Sequence, residues 1–161
     1  MVEGDLHREV IAGFTTCGIW VWKWPDSAKG VKKPFDLCMT VQGTFCPIEA
    51  KLRKYERAKP LTAWDPAVNV GKDFEPHQLD TMLKIDLAGG KPLILLGVVI
   101  KQPLQVHWTK SAWLLSLATL HALTGESDVV TVGQLNKHHM VAPLEWKPTV
   151  GWLFPDRFRF D

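Results

Sequence analysis

An α/β fold is what this sequence predicts, and three observations predict it. Residues 34–51, PFDLCMTVQGTFCPIEAK, read as two extended runs joined at Gln42 and Gly43, where glycine supplies the positive φ of a two-residue hairpin turn. Residues 91–100, KPLILLGVVI, form a continuous apolar run, the mark of a strand buried on both faces. Two further segments, 4–17 and 76–88, carry apolar residues at helical spacing. In chain order this gives a helix, three strands, a helix and a strand, with more elements following.

A chain of 161 residues with 46% hydrophobic content has the length of one domain, 1–161, and can bury a two-layer core without staples. Cys17, Cys38 and Cys46 are odd in number and lack C-x-x-C spacing, which argues against a disulfide framework or zinc ribbon and for reduced core thiols. No apolar run approaches the roughly 20 residues of a membrane span. The start, MVEGDLHREV, lacks the basic and apolar regions of a signal peptide, so the expected location is intracellular and soluble, with no membrane partner. A formal net charge of +2 says little about partners, so any nucleic-acid argument rests on where the charges lie.

Leu6, Val10, Ile11, Phe14 and Cys17 give the first helix its apolar stripe, which closes near Gly18. At about 100° per residue, Glu3 and His7 point with that stripe while Glu9 lies to its flank. Residues 19–24, IWVWKW, follow as a strand with Trp20, Trp22 and Trp24 on one face, read as the floor of the core or, alternatively, as a surface that stacks on bases. The polar loop after Pro25 brings Lys29, Lys32 and Lys33 up to the next strand, as phosphate contacts or as solvated surface.

In the hairpin, Val41 facing Thr44 puts Asp36 opposite Glu49, because cross-strand partners keep a constant index sum. Glu49 and Lys51 share one side, while Ile48, Ala50 and Leu52 take the core side. Two like charges facing each other destabilise a sheet, and a hard divalent cation such as Mg²⁺ would neutralise them. Residues 52–73 then lose periodicity and carry Arg53, Lys54, Arg57, Lys59 and Lys72 with Tyr55 and Trp64 between them. That pattern suits a segment lying on a nucleic-acid backbone, arching over the site or reaching another subunit, or a solvated surface.

Pro76 suits the first turn of a helix to Ala88, buried through Leu79, Met82, Leu83 and Ile85 and ended by Gly89 and Gly90, with Gln78 in its first turn near the sheet. Residues 103–108, PLQVHW, read as a strand, and Ser111 as the start of a helix, SAWLLSLATLHALTG, apolar all round. Residues 129–132 read as a short strand or the beginning of a helix at GQLNKHHM. His138 and His139 are adjacent, so a regular helix cannot aim both at one site. The tail from 144, with Arg157 and Arg159 among prolines and aromatics, reads as packing along the body.

Asp36, followed across the hairpin by Glu49, Ala50 and Lys51, resembles the PD-(D/E)xK nuclease signature, with Pro34 two residues before the aspartate. The stretch Phe74, Glu75, Pro76, His77, Gln78, Leu79 is similar to the F-x-x-H-Q segment that follows the E-x-K strand in RecU-type Holliday-junction resolvases and related phage nucleases. Together they cover roughly the first hundred residues. The resemblance, which extends to archaeal-type resolvases, implies a restriction-endonuclease-like core of order αβββαβ. Its mixed central sheet would be flanked by helices and extended by a C-terminal strand and helix. It also implies a crossover junction endodeoxyribonuclease in which Asp36, Glu49 and the Ala50 carbonyl hold one or two Mg²⁺, with Mn²⁺ able to substitute. Lys51 would orient or deprotonate the attacking water, and Gln78 would bond a metal water or phosphate, or else only cap its helix. The first-helix position that carries a glutamate in those nucleases matches His7 here, a departure that leaves Glu3 as the other candidate. Lys29, Lys32, Lys33, Arg53, Lys54 and Arg57 would meet DNA phosphates. The implied partners are four-way or otherwise branched DNA and a second copy in a homodimer, in the cytoplasm of a bacterial, archaeal or phage-infected cell. Another PD-(D/E)xK nuclease, of the VRR type, and a noncatalytic DNA-binding protein on the same fold are the alternatives.

Overall fold

The structure, a computed structural model, describes residues 1–26, 29–56, 67–101, 104, 106–125, 127–156 and 158–160. Helix α1 (Glu3–Thr16) leads into strands β1 (Trp20–Lys23), β2 (Leu37–Val41), β3 (Thr44–Glu56) and β4 (Ala67–Asn69). Helices α2 (Val70–Asp73) and α3 (Pro76–Leu87) precede strands β5 (Leu93–Lys101) and β6 (Thr109–Ser116). The chain closes with α4 (Leu117–Thr124), β7 (Val129–Thr131), α5 (Val132–Lys137), β8 (Ala142–Pro143), β9 (Glu145–Lys147) and β10 (Gly151–Leu153). The fold is mixed α/β with helices flanking a central sheet, and β4 and α2 stand between β3 and α3 where the sequence reading ran from strand directly to helix.

Among the described residues six strands form a mixed sheet in the order β1-β2-β3-β5-β6-β8, antiparallel at every pair except the central β3 and β5. Parallel strands at the centre need cover on both faces, and the sequence supplies it. On one face Leu6, Val10 and Phe14 of α1 pack on Leu37, Met39, Ile48, Ala50 and Leu95. On the other, Met82 of α3, Leu117 and Leu120 of α4 and Leu135 of α5 pack on Ile94, Leu96, Val98 and Leu115. Burying a side chain of this size is worth about 2 kcal/mol, so each strand of the centre is held from both sides. The C-terminal ladder of β9 and β10 closes on α1, where the backbone of Trp152 passes so near Gly13 that any Cβ there would overlap its carbonyl. Phe154 then meets Phe14 edge to face at 5.1 Å. Among the described residues no helix is long and apolar enough to cross a membrane.

The structure corrects several sequence expectations. Residues 111–116 are strand, not the opening of a helix: β6 lies along β5, and the helix begins only at Leu117, where the Ser116 hydroxyl accepts the Thr119 N–H at 3.0 Å. An all-round apolar run suits a strand buried on both faces as well as a buried helix, and the open edge of β5 decides between them. Of the strand expected at 103–108, residues 106–108 lie outside any strand, while 103 and 105 are outside the described residues. Aperiodic 52–56 continue β3, because β5 offers Gly97–Lys101 as parallel partners. Leu83 is exposed, leaving Met82 as the fully buried residue of α3. The β1 tryptophans are not the floor of the core: Val21 faces inward and Trp20, Trp22 and Trp24 are exposed. Cys38 and Cys46 are buried thiols, but Cys17 is exposed at the end of α1.

Candidate active site

The site begins with a turn. Gln42 at φ 51° and Gly43 at φ 76° both take the left-handed conformation of a type I′ hairpin, and this sets Val41 opposite Thr44 and Leu37 opposite Ile48. One step further the Asp36 N–H donates to the Ile48 carbonyl at 3.1 Å and the Trp24 N–H to the Asp36 carbonyl at 2.8 Å. There the ladder ends, and the Asp36 carboxylate takes over the Ala50 N–H, with Oδ2 accepting at 3.0 Å. A strand terminus has become a carboxylate anchored by the backbone of its neighbour.

Around Asp36, which is 3% exposed, four elements converge. From β3, Glu49 is 1% exposed and within hydrogen-bonding reach of Asp36, and Lys51 places Nζ 3.1 Å from Glu49 Oε1. From α3, the Gln78 side-chain N–H donates to Glu49 Oε1, while its carbonyl accepts the Glu75 N–H at 2.8 Å. One amide thus caps the first turn of its helix with its oxygen and reaches the Glu49 carboxylate with its nitrogen. From α1, His7 Nε2 stands 4.0 Å from Asp36 Oδ2, and Glu3 lies near Asp36 and Lys51 with the Leu52 N–H directed at its carboxylate. The loop before β2 adds Lys33, whose Nζ sits 2.7 Å from Asp36 Oδ1.

Burial and charge drive the two central carboxylates apart. Burial pushes Glu49 up, the Asp36 charge adds to it, and Lys51 offsets only part, so its pKa rises from 4.5 to about 8. Burial also opposes ionisation of Asp36, but the Lys33 ammonium and the Ala50 N–H outweigh it and hold its pKa below the usual value. Lys33 is correspondingly raised: burial works against its charge, and the Asp36 bond prevails. Burial lifts Glu3 and lowers His7, keeping that imidazole neutral beside its carboxylate. Of the pair, Glu49 is therefore biased toward its protonated form and Asp36 toward its charged form.

Three side chains of the site could hold a metal ion. Glu3, His7 and Asp36 each offer one ligand atom, all within 4.8 Å of one another. Among the described residues buried His7 Nε2 has no hydrogen-bond partner, and it stands 4.0 Å from Asp36 Oδ2. Oxygen ligands suit Mg²⁺, and a water-bridged imidazole is compatible with an ion that keeps part of its hydration shell.

Asp36, Glu49, Lys51, Gln78 and His7 are brought together, and Ala50 contributes its N–H to Asp36. The cationic candidates scatter. Lys33 belongs to the carboxylates. Lys32 stands at the start of α3, 3.4 Å from His77 Nδ1, and Lys29 is exposed in the same loop. Arg53 pairs with Asp73 at 2.9 Å. Lys54 lies on the opposite sheet face from Lys51, 4.6 Å above the Trp108 ring, because β3 continues as a regular strand and alternation applies. Arg57, Lys59, Trp64 and Arg157 are outside the described residues. The sequence missed Lys33 as the partner of Asp36 and Phe74 as the ring beneath Lys51, 5.4 Å away. A loop lysine three residues before an aspartate carries no periodic signal that would assign it inward.

No protein-family model matches the chain, and no curated protein matches it. Among solved structures the chain is similar to Hjc, a Holliday junction resolvase from the archaeal hyperthermophile Archaeoglobus fulgidus. The TM-score is 0.45 and the identity 12%, over 73% of this chain and 78% of that one.

Proposed function

We propose that this chain is a Mg²⁺-dependent endodeoxyribonuclease with a PD-(D/E)xK, restriction-endonuclease-like core, cutting phosphodiester bonds in branched DNA, with the four-way junction as its substrate. The observation that carries this reading is the meeting of two buried carboxylates and a lysine where β2 leaves β3. Structural ion pairs do not require a second carboxylate pressed against the first, buried and holding a proton to about pH 8. Bound there, Mg²⁺ would lower the pKa of a water and offset charge on the phosphate oxygens.

The chain's own groups have distinct tasks. Asp36, ionised and fixed by the Ala50 N–H, holds its position before any ion arrives. Glu49 releases its proton when positive charge enters, and Gln78 and Lys51 keep its carboxylate oriented. Lys51, with Phe74 beneath it, can orient the attacking water and meet a phosphate oxygen. His7 presents a neutral imidazole from the α1 side, where Glu3 supplies a further carboxylate. The similarity of 74–79 to the resolvase segment supports the junction as substrate, and symmetric cutting of two strands calls for a twofold homodimer.

Incubation of the purified chain with Mg²⁺ and linear, flapped and four-way DNA tests the reading. Nicked duplexes from the junction are expected, and Asp36→Asn and Lys51→Ala should abolish them. Equal cutting of all three substrates would replace the resolvase with a general VRR-type nuclease. One observation favours a noncatalytic DNA-binding protein: the Lys33 and Lys51 ammonium groups already stand 2.7 Å from Asp36 and 3.1 Å from Glu49, where a cation would have to enter. Binding of junctions by the wild type without any cutting in Mg²⁺ or Mn²⁺ would select that reading.

A further inference from the structure

The tryptophans of β1 take no part in the chemistry above. Alternation along β1 sends Val21 into the core with α1 and leaves Trp20 at 57% and Trp22 at 58% exposure on the other face. Register carries the surface onward: Trp20 lies opposite Thr40, and Thr40 opposite Phe45, itself 43% exposed. Folded chains seldom leave large rings uncovered side by side unless something binds there.

Where the row leads identifies the occupant. Trp22 pairs with Cys38, and one step along, the Trp24 N–H is bonded to the Asp36 carbonyl. Trp24 packs on Phe35, ring centroids 4.7 Å apart, immediately before that aspartate. The indoles therefore lie on the sheet face that carries Glu49 and Lys51, in a line ending at Asp36. The loop joining β1 to β2, which carries exposed Lys29 and Lys32, connects this row to the Asp36 strand. Residues two apart on a strand are about 6.8 Å apart, roughly twice the 3.4 Å rise of stacked bases. Neighbouring indoles at that spacing can each take one base of an extended strand and cannot follow a stacked duplex.

We propose that Trp20 and Trp22 form a stacking platform for unpaired bases of the DNA strand whose phosphate is presented to Asp36 and Glu49. The preferred substrate then has a single-stranded or unstacked segment beside the cut. This inference rests on the nuclease reading for its geometry, but not for its measurement. Base stacking on aromatic rings is sequence-tolerant, so an oligodeoxythymidylate serves as the probe, with binding read by tryptophan quenching and by anisotropy of a labelled oligonucleotide in EDTA. The double variant Trp20→Ala, Trp22→Ala should lose roughly tenfold or more in affinity. Trp→Phe at both positions should restore most of it, and blunt duplex should bind the wild type and the alanine variant alike. Unchanged affinity of the alanine variant would overturn the platform, as would its conversion of a dimer to a monomer in light scattering, which would make the face a self-association surface. If the wild type binds the oligonucleotide through these indoles yet never cuts DNA, the platform stands and the nuclease falls. If junctions are cut and the alanine variant binds and cuts like the wild type, the nuclease stands and the platform falls.

Discussion

Replacing Glu49 with glutamine should stabilise the metal-free protein at alkaline pH. Glu49 is 1% exposed, and burial together with the Asp36 charge lifts its pKa from 4.5 to about 8. The folded chain therefore holds a proton that the unfolded chain has released. Stability from this group is complete below about pH 4.5 and is lost as the pH rises through about 8. At 1.36 kcal/mol per pKa unit, the wild type should lose roughly 4 kcal/mol relative to Glu49→Gln between about pH 5 and pH 9. For a chain of this length that is a difference of about 10 °C in melting temperature. Thermal or urea denaturation of both proteins in EDTA across that range measures it, and comparing the two cancels every other titrating group to first order. The glutamine keeps a carbonyl to accept the Gln78 N–H, and the Lys51 attraction that it forgoes once Glu49 ionises is already contained in the Glu49 pKa. If the two melting temperatures run parallel from about pH 5 to pH 9, Glu49 is an ordinary carboxylate and the reasoning about the paired site is wrong.

Mg²⁺ should raise the melting temperature of the wild type, by about 2.7 kcal/mol of stability at a hundredfold excess over its Kd. Asp36→Asn should lose that shift in differential scanning fluorimetry, and EDTA should reverse it. Gly13→Ala should cost about 3 kcal/mol in urea denaturation, since its Cβ would overlap the Trp152 carbonyl, whereas Gly4→Ala, with nothing within 4 Å, should stabilise α1 by up to about 1 kcal/mol. Thiol titration of the native protein should find one fast group, exposed Cys17. Cys46, pushed up by burial to about 11, should react only after unfolding.

The hairpin was legible in the sequence because its determinants are local. Gln42 and Gly43 define the turn, the turn fixes the index sum, and the sum places Asp36 against Glu49 without knowledge of the rest of the chain. The apolar run that becomes β5 was equally plain. What escaped the sequence depends on distant partners. Residues 111–116 carry no period that separates strand from helix, and only the free edge of β5 draws them into the sheet. Alternation groups Trp20, Trp22 and Trp24 on one face but does not say whether that face is covered, and the helices that pack there do not bury it. Lys33 was assigned to phosphate because loop lysines usually meet solvent, and its contact with Asp36 appears only when the loop folds back. Gln78 had two readings because a side chain in the first turn of a helix aimed at a sheet can cap that turn and still reach the sheet, as its bonds to the Glu75 N–H and to Glu49 do.

The central claim is that Asp36 and Glu49 hold a divalent cation beside Lys51. Anomalous diffraction from crystals soaked in Mn²⁺ tests it most directly. The account predicts a peak between the Asp36 and Glu49 carboxylates, with Lys33 drawn away from Asp36 Oδ1 and the peak gone in Asp36→Asn. Saturating Mn²⁺ with no density among these groups, or density only at surface carboxylates elsewhere, would contradict it.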